Sequence, residues 1–381
     1  MNLNALSLLE RLISYPSITP KECGIYALVE KIFAQALGEN AREVITQERE
    51  GVKNLFLYTP RKAQRHLCFA GHIDVVPPGE GWSSDPFTPA HRDGYLYGRG
   101  AQDMKSGVSA FVCAVRDFLV RNPSATQDLQ ISLLLTSDEE GEGTYGTRYM
   151  LDELESRGLL PTMAIVAEPT AHAVCGDVIK VGRRGSINGK ITIFGKQGHV
   201  AYPQNCINPT ELLGARLGEL AGVNLDKGDA HFEPSKLVIT DIRGGMEVVN
   251  VTPNELKILF NVRNSPQTTK EDVRSYVRKV LEGLDFTLEL RQSSVGFLSD
   301  SSLVAMMSAC IESVCGRAPE LSTSGGTSDA RFFGARGIPV VEVGVPNDKI
   351  HAIDERVKPQ DVQRLYEIFT RFLEQVSRGI A

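Results

Sequence analysis

The sequence predicts an α/β protein whose mainly parallel sheet, flanked by helices, is interrupted by a smaller α+β unit, and three observations carry that expectation. Short runs rich in Val, Ile and Leu, bounded by Gly and Pro, alternate with longer amphipathic stretches, the pattern of a sheet buried on both faces. Three of these runs, residues 67–76, 130–136 and 163–167, are followed at once by His or acidic residues. From about Gly185 the texture changes to a β-α-β-β-α-β succession, a ferredoxin-like order, after which α/β texture returns.

Each element follows from its own pattern. Residues 1–13 read as an amphipathic surface helix and not as a signal peptide, because no basic segment precedes the apolar residues and Glu10 and Arg11 interrupt them. Residues 105–120 repeat apolar side chains every three or four positions, which predicts a helix packed on the sheet between its first two strands. In the interrupting unit, strands are expected at 186–194, 236–242, 255–262 and 286–291, with helices at 209–221 and 270–284. The returning segment carries a helix at 301–314, a strand at 338–343 and a closing helix with Pro359 near its start and Gly379 at its end. The expected domains are 1–182 and 294–381 as two parts of one domain, with 183–293 inserted between them.

Composition narrows the functional classes. The 381 residues hold 41 Lys and Arg against 47 Asp and Glu, a net charge of −6, with 42% apolar and 23% charged residues. That is ordinary globular composition, without the electrostatic footprint of a nucleic-acid or anionic-membrane partner. The longest apolar stretches, 131–135 and 338–345, are far shorter than the roughly 20 residues of a membrane span. Seven scattered cysteines without a C-x-x-C pair suggest reduced thiols and a cytoplasmic protein.

Chemistry concentrates where the strands end. His72 and Asp74 close the first strand and, two residues apart, point the same way. A carboxylate there can accept the imidazole N–H and leave the other nitrogen free for a metal, although the same pair is also an ordinary structural hydrogen bond. Asp103 precedes the predicted helix at 105 and is either its N-cap or a ligand held by the glycine-dense Gly98-Arg-Gly. Asp138, Glu139 and Glu140 follow a fully apolar strand, as Glu168 follows Ile165-Val-Ala, and strand C-termini are where ligands bind in open α/β sheets. Adjacent carboxylates raise one another's pKa, a cost that a divalent cation relieves, although an acidic triplet is also an ordinary solvated turn. With His351 from the returning segment, two imidazoles and several carboxylates make the mixed N/O set that zinc accepts, in which a shared carboxylate can bridge two ions. One of the paired glutamates can then ligate while the other moves a proton. His199 lies in the inserted unit, where it can polarise a carbonyl, and Arg183, Arg184 and Arg263 suit a substrate bearing carboxylates. The Gly-rich Ser324-Gly-Gly-Thr-Ser-Asp329 offers N–H groups and hydroxyls to an anion but lacks the pattern of a nucleotide loop.

These residues resemble the dinuclear zinc aminoacylase and carboxypeptidase family, the M20 metallopeptidases. The resemblance runs through Gly71-His-Ile-Asp-Val-Val-Pro77, Gly98-Arg-Gly-Ala-Gln-Asp-Met-Lys105, Thr136-Ser-Asp-Glu-Glu-Gly141 and Ala167-Glu-Pro-Thr170, which mark the wider family. Gly182-Arg-Arg-Gly-Ser-Ile-Asn-Gly189, Gly198-His-Val-Ala-Tyr-Pro203 and Ser324-Gly-Gly-Thr-Ser-Asp-Ala-Arg331 point to a branch that hydrolyses an N-succinyl amide. It implies a zinc-peptidase-like catalytic domain and two zinc ions per subunit, with cobalt able to replace one. His72, Asp103 and Glu168 would hold the first ion, and Asp103, Glu140 and His351 the second. It further implies Glu139 as general base and acid, Asp74 as the residue that orients His72, and a cis peptide at Asp103-Met104. The inserted unit would make a homodimer in which His199 serves the partner's site. Arg183, Ser186, Tyr202, Asn250, Arg263, Thr327 and Asn347 would bind a small substrate bearing carboxylates. Two positions depart from the family pattern: Met104-Lys-Ser-Gly107 replaces Met-Lys-Gly, and Asp354 stands for the usual Asn.

Overall fold

The computed structural model describes residues 3–38 and 42–379, so the start of the predicted first helix and the outermost limits of the predicted domains lie outside the described residues. The chain forms two compact units. The larger takes in the chain up to Gly182, Ser299–Ser322 and the chain from Ser328 on; the smaller is Arg183–Leu298 with Thr323–Thr327.

The strands of the two main sheets are, in chain order, β1 (Glu43–Arg49), β2 (Val52–Tyr58), β3 (Arg65–His72), β4 (Leu129–Thr136), β5 (Met163–Val166), β6 (Val178–Lys180), β7 (Ser186–Phe194), β8 (Lys236–Gly244), β9 (Glu255–Arg263), β10 (Phe286–Ser294), β11 (Glu320–Ser322) and β12 (Val340–Glu342). The larger unit has an eight-stranded sheet in the order β1-β2-β4-β3-β5-β12-β6-β11. Its centre is parallel, through the β4–β3, β3–β5 and β5–β12 pairs, while β1, β2 and β4 run antiparallel to one another in turn at one edge. Successive residues of a strand face opposite sides. Leu67, Phe69, Ile131, Leu133 and Leu135 therefore enter one core with α1 (Ala5–Ile13), α2 (Ile25–Leu37), α3 (Lys105–Arg121) and the helices Ser301–Cys315 and Pro359–Ser377. The helices Thr147–Ser156 and Ala330–Gly334 pack against each other and against the sheet.

Local chemistry sets the helix ends. Asn4 caps α1 in a reciprocal box with Ser7, and the fully buried Lys105 donates through Nζ to the last carbonyls near α1, those of Leu12 and Tyr15, at 2.9 Å each. A cation there complements the helix dipole. Where the family pattern has Gly, Ser106 is accommodated with its hydroxyl bonded to the Gln102 carbonyl, and the helix begins undisturbed at Lys105. Gly107 is a true close approach: a Cβ there would meet the Ala167 carbonyl oxygen at 2.2 Å. Gly107→Ala is expected to destabilise the protein by about 1–3 kcal/mol, the usual cost of overpacking, read as a lower melting temperature in calorimetry. A melt superimposable on the wild type would show that the helix can retreat freely.

The smaller unit has a four-stranded antiparallel sheet, β8-β9-β7-β10, covered by the helix Lys270–Val280 and by two short helices. Here the expected helix at 209–221 is two pieces, Pro209–Gly214 and Leu217–Leu220. Gly214 and Gly218 weaken a continuous helix. Arg216, at the break, instead donates to the Val280 and Glu282 carbonyls at 2.7 and 3.0 Å, at the end of Lys270–Val280.

Candidate metal centre

The larger unit brings five predicted ligands together at the C-terminal ends of its central strands. His72 ends β3, Glu168 follows β5, Asp103 precedes Met104, the N-cap of α3, Glu140 follows β4, and His351 comes from the loop beyond β12. One ligand atom from each of His72, Asp103 and Glu168 lies within 4.8 Å of the others, and so do atoms from Asp103, Glu140 and His351. Asp103 joins the two groups with its two oxygens: Oδ1 is 3.0 Å from His72 Nε2, and Oδ2 is 3.1 Å from His351 Nε2. His351 Nε2 also lies 2.9 Å from Glu140 Oε1, and Glu168 Oε1 is 3.8 Å from His72 Nε2. The Asp103-Met104 peptide is cis.

The donor chemistry fits a pair of divalent cations. His72 Nδ1 is engaged 2.9 Å from the main-chain oxygen of Asp74, which leaves Nε2 aimed at the cluster. The Asp74 carboxylate stands a little farther off, 3.6 Å from the same nitrogen. It also accepts from the Glu139 and Glu140 main-chain N–H groups, at 3.4 and 3.1 Å, so it fixes the glutamate pair. Asp138 is drawn off to accept from the Tyr145 N–H at 3.0 Å, so of three consecutive acids only two face the cluster.

Electrostatics follows from this crowding. Burial pushes the Glu139 carboxyl up to about 8, reinforced by Asp329, Asp103 and Glu140 and opposed by His72. Burial alone would raise Asp103 too, but hydrogen bonds from His351 and His72 outweigh it and hold the carboxyl well below the usual range. Hydrogen bonds to Asp103 and Glu140 carry His351 up to about 10, so at neutral pH its imidazole is protonated. A metal requires the neutral ring, so cation binding displaces that proton. Zinc titration at pH 7 is accordingly expected to release protons, with affinity rising as pH rises. Calorimetry in buffers of differing ionisation enthalpy measures this, and a buffer-independent heat would exclude it.

The other predicted residues divide between the units. In the smaller one, His199 and Tyr202 lie with ring centroids 5.9 Å apart, and the Asn250 carbonyl accepts from the Val200 N–H at 3.1 Å, which gathers these three at the paired strands Gly198–His199 and Val251–Thr252. Ser186 and Arg263 stand at the adjoining ends of β7 and β9, where the Ser186 hydroxyl accepts from Asn261 at 3.0 Å. Arg183 donates to the Ser324 and Gly326 carbonyls at 3.1 and 3.0 Å, within the stretch that contains Thr327. Asn347 belongs to the larger unit, four residues before His351, with its N–H on the Ala171 carbonyl. Glu355 had no part in the sequence reading, yet its buried carboxylate binds the backbone around Asp103. Its position four residues after His351 was the only signal.

The model of peptidase family M20/M25/M40 matches residues 68–375. The chain belongs to that family. This M20 chain is 57% identical, over 97% of its length and 96% of the relative's, to a succinyl-diaminopimelate desuccinylase of Helicobacter hepaticus. It is 54% identical to one of Wolinella succinogenes, over 98% and 100% of the two chains. Its fold matches the aminopeptidase PepT of Bacillus cereus with a TM-score of 0.76 at 20% identity, covering 98% of each chain. It also matches the Bacillus subtilis YXEP protein, described as a dinuclear metal binding peptidase, with a TM-score of 0.71 at 14% identity over 99% and 98% of the two chains.

Asp354 adopts φ 55°, in the left-handed region that Asp and Asn tolerate best, and accepts from Ser83 and Arg92. Among the described residues, no helix is long and apolar enough to cross a membrane.

Proposed function

We propose that this chain hydrolyses N-succinyl-LL-2,6-diaminopimelate to succinate and LL-2,6-diaminopimelate, a step of lysine and diaminopimelate biosynthesis in the cytoplasm, using two zinc ions per subunit. The observation that carries the reading is the pair of three-residue clusters sharing Asp103, with Glu139 beside them in neither. The names of relatives at 57% and 54% identity support the substrate.

In this reading His72, Asp103 and Glu168 hold one ion, and Asp103, Glu140 and His351 the other. When bound, zinc supplies Lewis acidity, lowers the pKa of water toward neutrality and draws the Glu139 carboxyl back into its basic form. Glu139 takes a proton from the attacking water, whose oxygen bonds to the succinyl amide carbon. As the carbon–nitrogen bond breaks, Glu139 returns the proton to the leaving amine. Asp74 keeps Glu139 in place through its main-chain N–H. His199 donates to the developing oxyanion in the partner's site. Arg183, Ser186, Tyr202, Asn250, Arg263, Thr327 and Asn347 receive the carboxylates and amine of the substrate, and cobalt substitutes for one zinc.

The smaller unit makes the homodimer. It exposes Val238, Ile242, Met246, Val248, Val249 and Leu259, with Val249 99% exposed, a cluster of apolar side chains that association would cover. Sedimentation is expected to give twice the chain mass. Activity is tested with N-succinyl-LL-diaminopimelate and N-acetylornithine side by side, with zinc and after chelation. Zinc-dependent turnover of the succinyl compound alone is the expected result. Cleavage of only the acetyl compound would keep the chemistry and replace the substrate.

A further inference from the structure

We infer that Glu355 is the positioning residue for the bridging carboxylate, and that with Arg99 it sets the second cluster in particular. This rests on the metal-binding reading above. Glu355 is fully buried, and its Oε1 accepts from the Gln102 and Asp103 main-chain N–H groups at 2.7 and 3.1 Å. Its Oε2 accepts from the Gly100 N–H at 3.0 Å and from Arg99 Nη1 at 2.8 Å, while its own carbonyl accepts from Gly98 at 3.0 Å. One carboxylate thus collects the N–H groups of the turn that ends in Asp103.

Arg99 extends the same device. It too is buried, it lies over the Trp82 ring at 5.0 Å, and its Nη2 donates to the carbonyls of Pro78 and His351 at 3.2 and 3.3 Å. The His351 backbone sits at φ 59°, a conformation that persists only where neighbours enforce it. The pair therefore grips the main chain of two of the second cluster's three ligands, Asp103 and His351, but only Asp103 of the first. A buried ion pair needs such additional hydrogen bonds to offset desolvation, and here they end on ligand-bearing backbone.

The inference predicts unequal loss of metal. Glu355→Gln keeps shape but turns one acceptor oxygen into a donor that faces N–H groups. Loss of an outer partner typically lowers metal affinity by about 10–100-fold. Zinc and cobalt titrations of the full chain, read by bound-metal content and by the cobalt absorption spectrum, are expected to show one equivalent weakened by that factor and the other held within about threefold. Arg99→Lys, a milder change that preserves charge, should weaken the same equivalent less and serves if the first variant does not fold. Equal weakening of both equivalents in step with the melting temperature would make Glu355 merely structural, and two unchanged affinities in either folded variant would overturn the inference. Failure of the wild type to bind two equivalents would instead sink the metal-binding reading.

Discussion

Glu139→Gln is expected to lower turnover by roughly 10²–10⁴-fold while the protein keeps its metal and its fold. The glutamate belongs to neither ligand cluster, so its amide leaves all five ligands in place. What the amide cannot do is accept a proton from water, and Glu140 and Asp103 are committed to the imidazoles of His351 and His72. Metal analysis alongside steady-state rates separates the outcomes. Loss of metal in the variant would show that Glu139, and not Glu140, is the ligand of the pair. Full activity with metal retained would remove the general base from the mechanism.

Asp103→Ala is expected to have the largest effect on metal content, with affinity at both clusters falling by at least ~100-fold, the upper end of what an outer partner alone contributes. The reason is the division of its two oxygens, one toward His72 and one toward His351. Removing either terminal acid, Glu168 or Glu140, touches one cluster only. The alanine variant also leaves His72 and His351 without the carboxylate that raises their proton affinity, so the two rings titrate closer to ordinary histidine. Elemental analysis after dialysis checks the first effect and proton NMR of the imidazoles the second. An Asp103→Ala protein that still carried two tightly held metals would exclude the bridge.

The sequence by itself determined the central strands β3, β4, β5 and β12, the four strands of the smaller unit, most of the helices that pack on them and the chemical types that sit at the strand ends, whereas the edge strands β1 and β2 and the helix α2 were not legible in it. Periodicity of two or about 3.6 residues and an apolar run that stops at an acid are local properties, so β4 and Glu139-Glu140 were legible without any fold. What it could not determine is which atom of a residue does the work. Asp74 was legible as a partner of His72, but only the fold shows that its main-chain oxygen lies closest to the imidazole and that its carboxylate also accepts from the Glu139 and Glu140 amides. Asp138 looks identical to its neighbours until the Tyr145 N–H claims it. The helix at 209–221 is two pieces, weakened locally by Gly214 and Gly218, and only the fold shows that Arg216 at the break donates to carbonyls of a distant segment. Glu355 gains its place only when the loop from Gly98 to Asp103 is folded over it, some 250 residues away in sequence. Residue type and spacing are fixed along the chain, whereas the destination of each hydrogen bond is fixed by where other segments arrive, and that belongs to the tertiary structure alone.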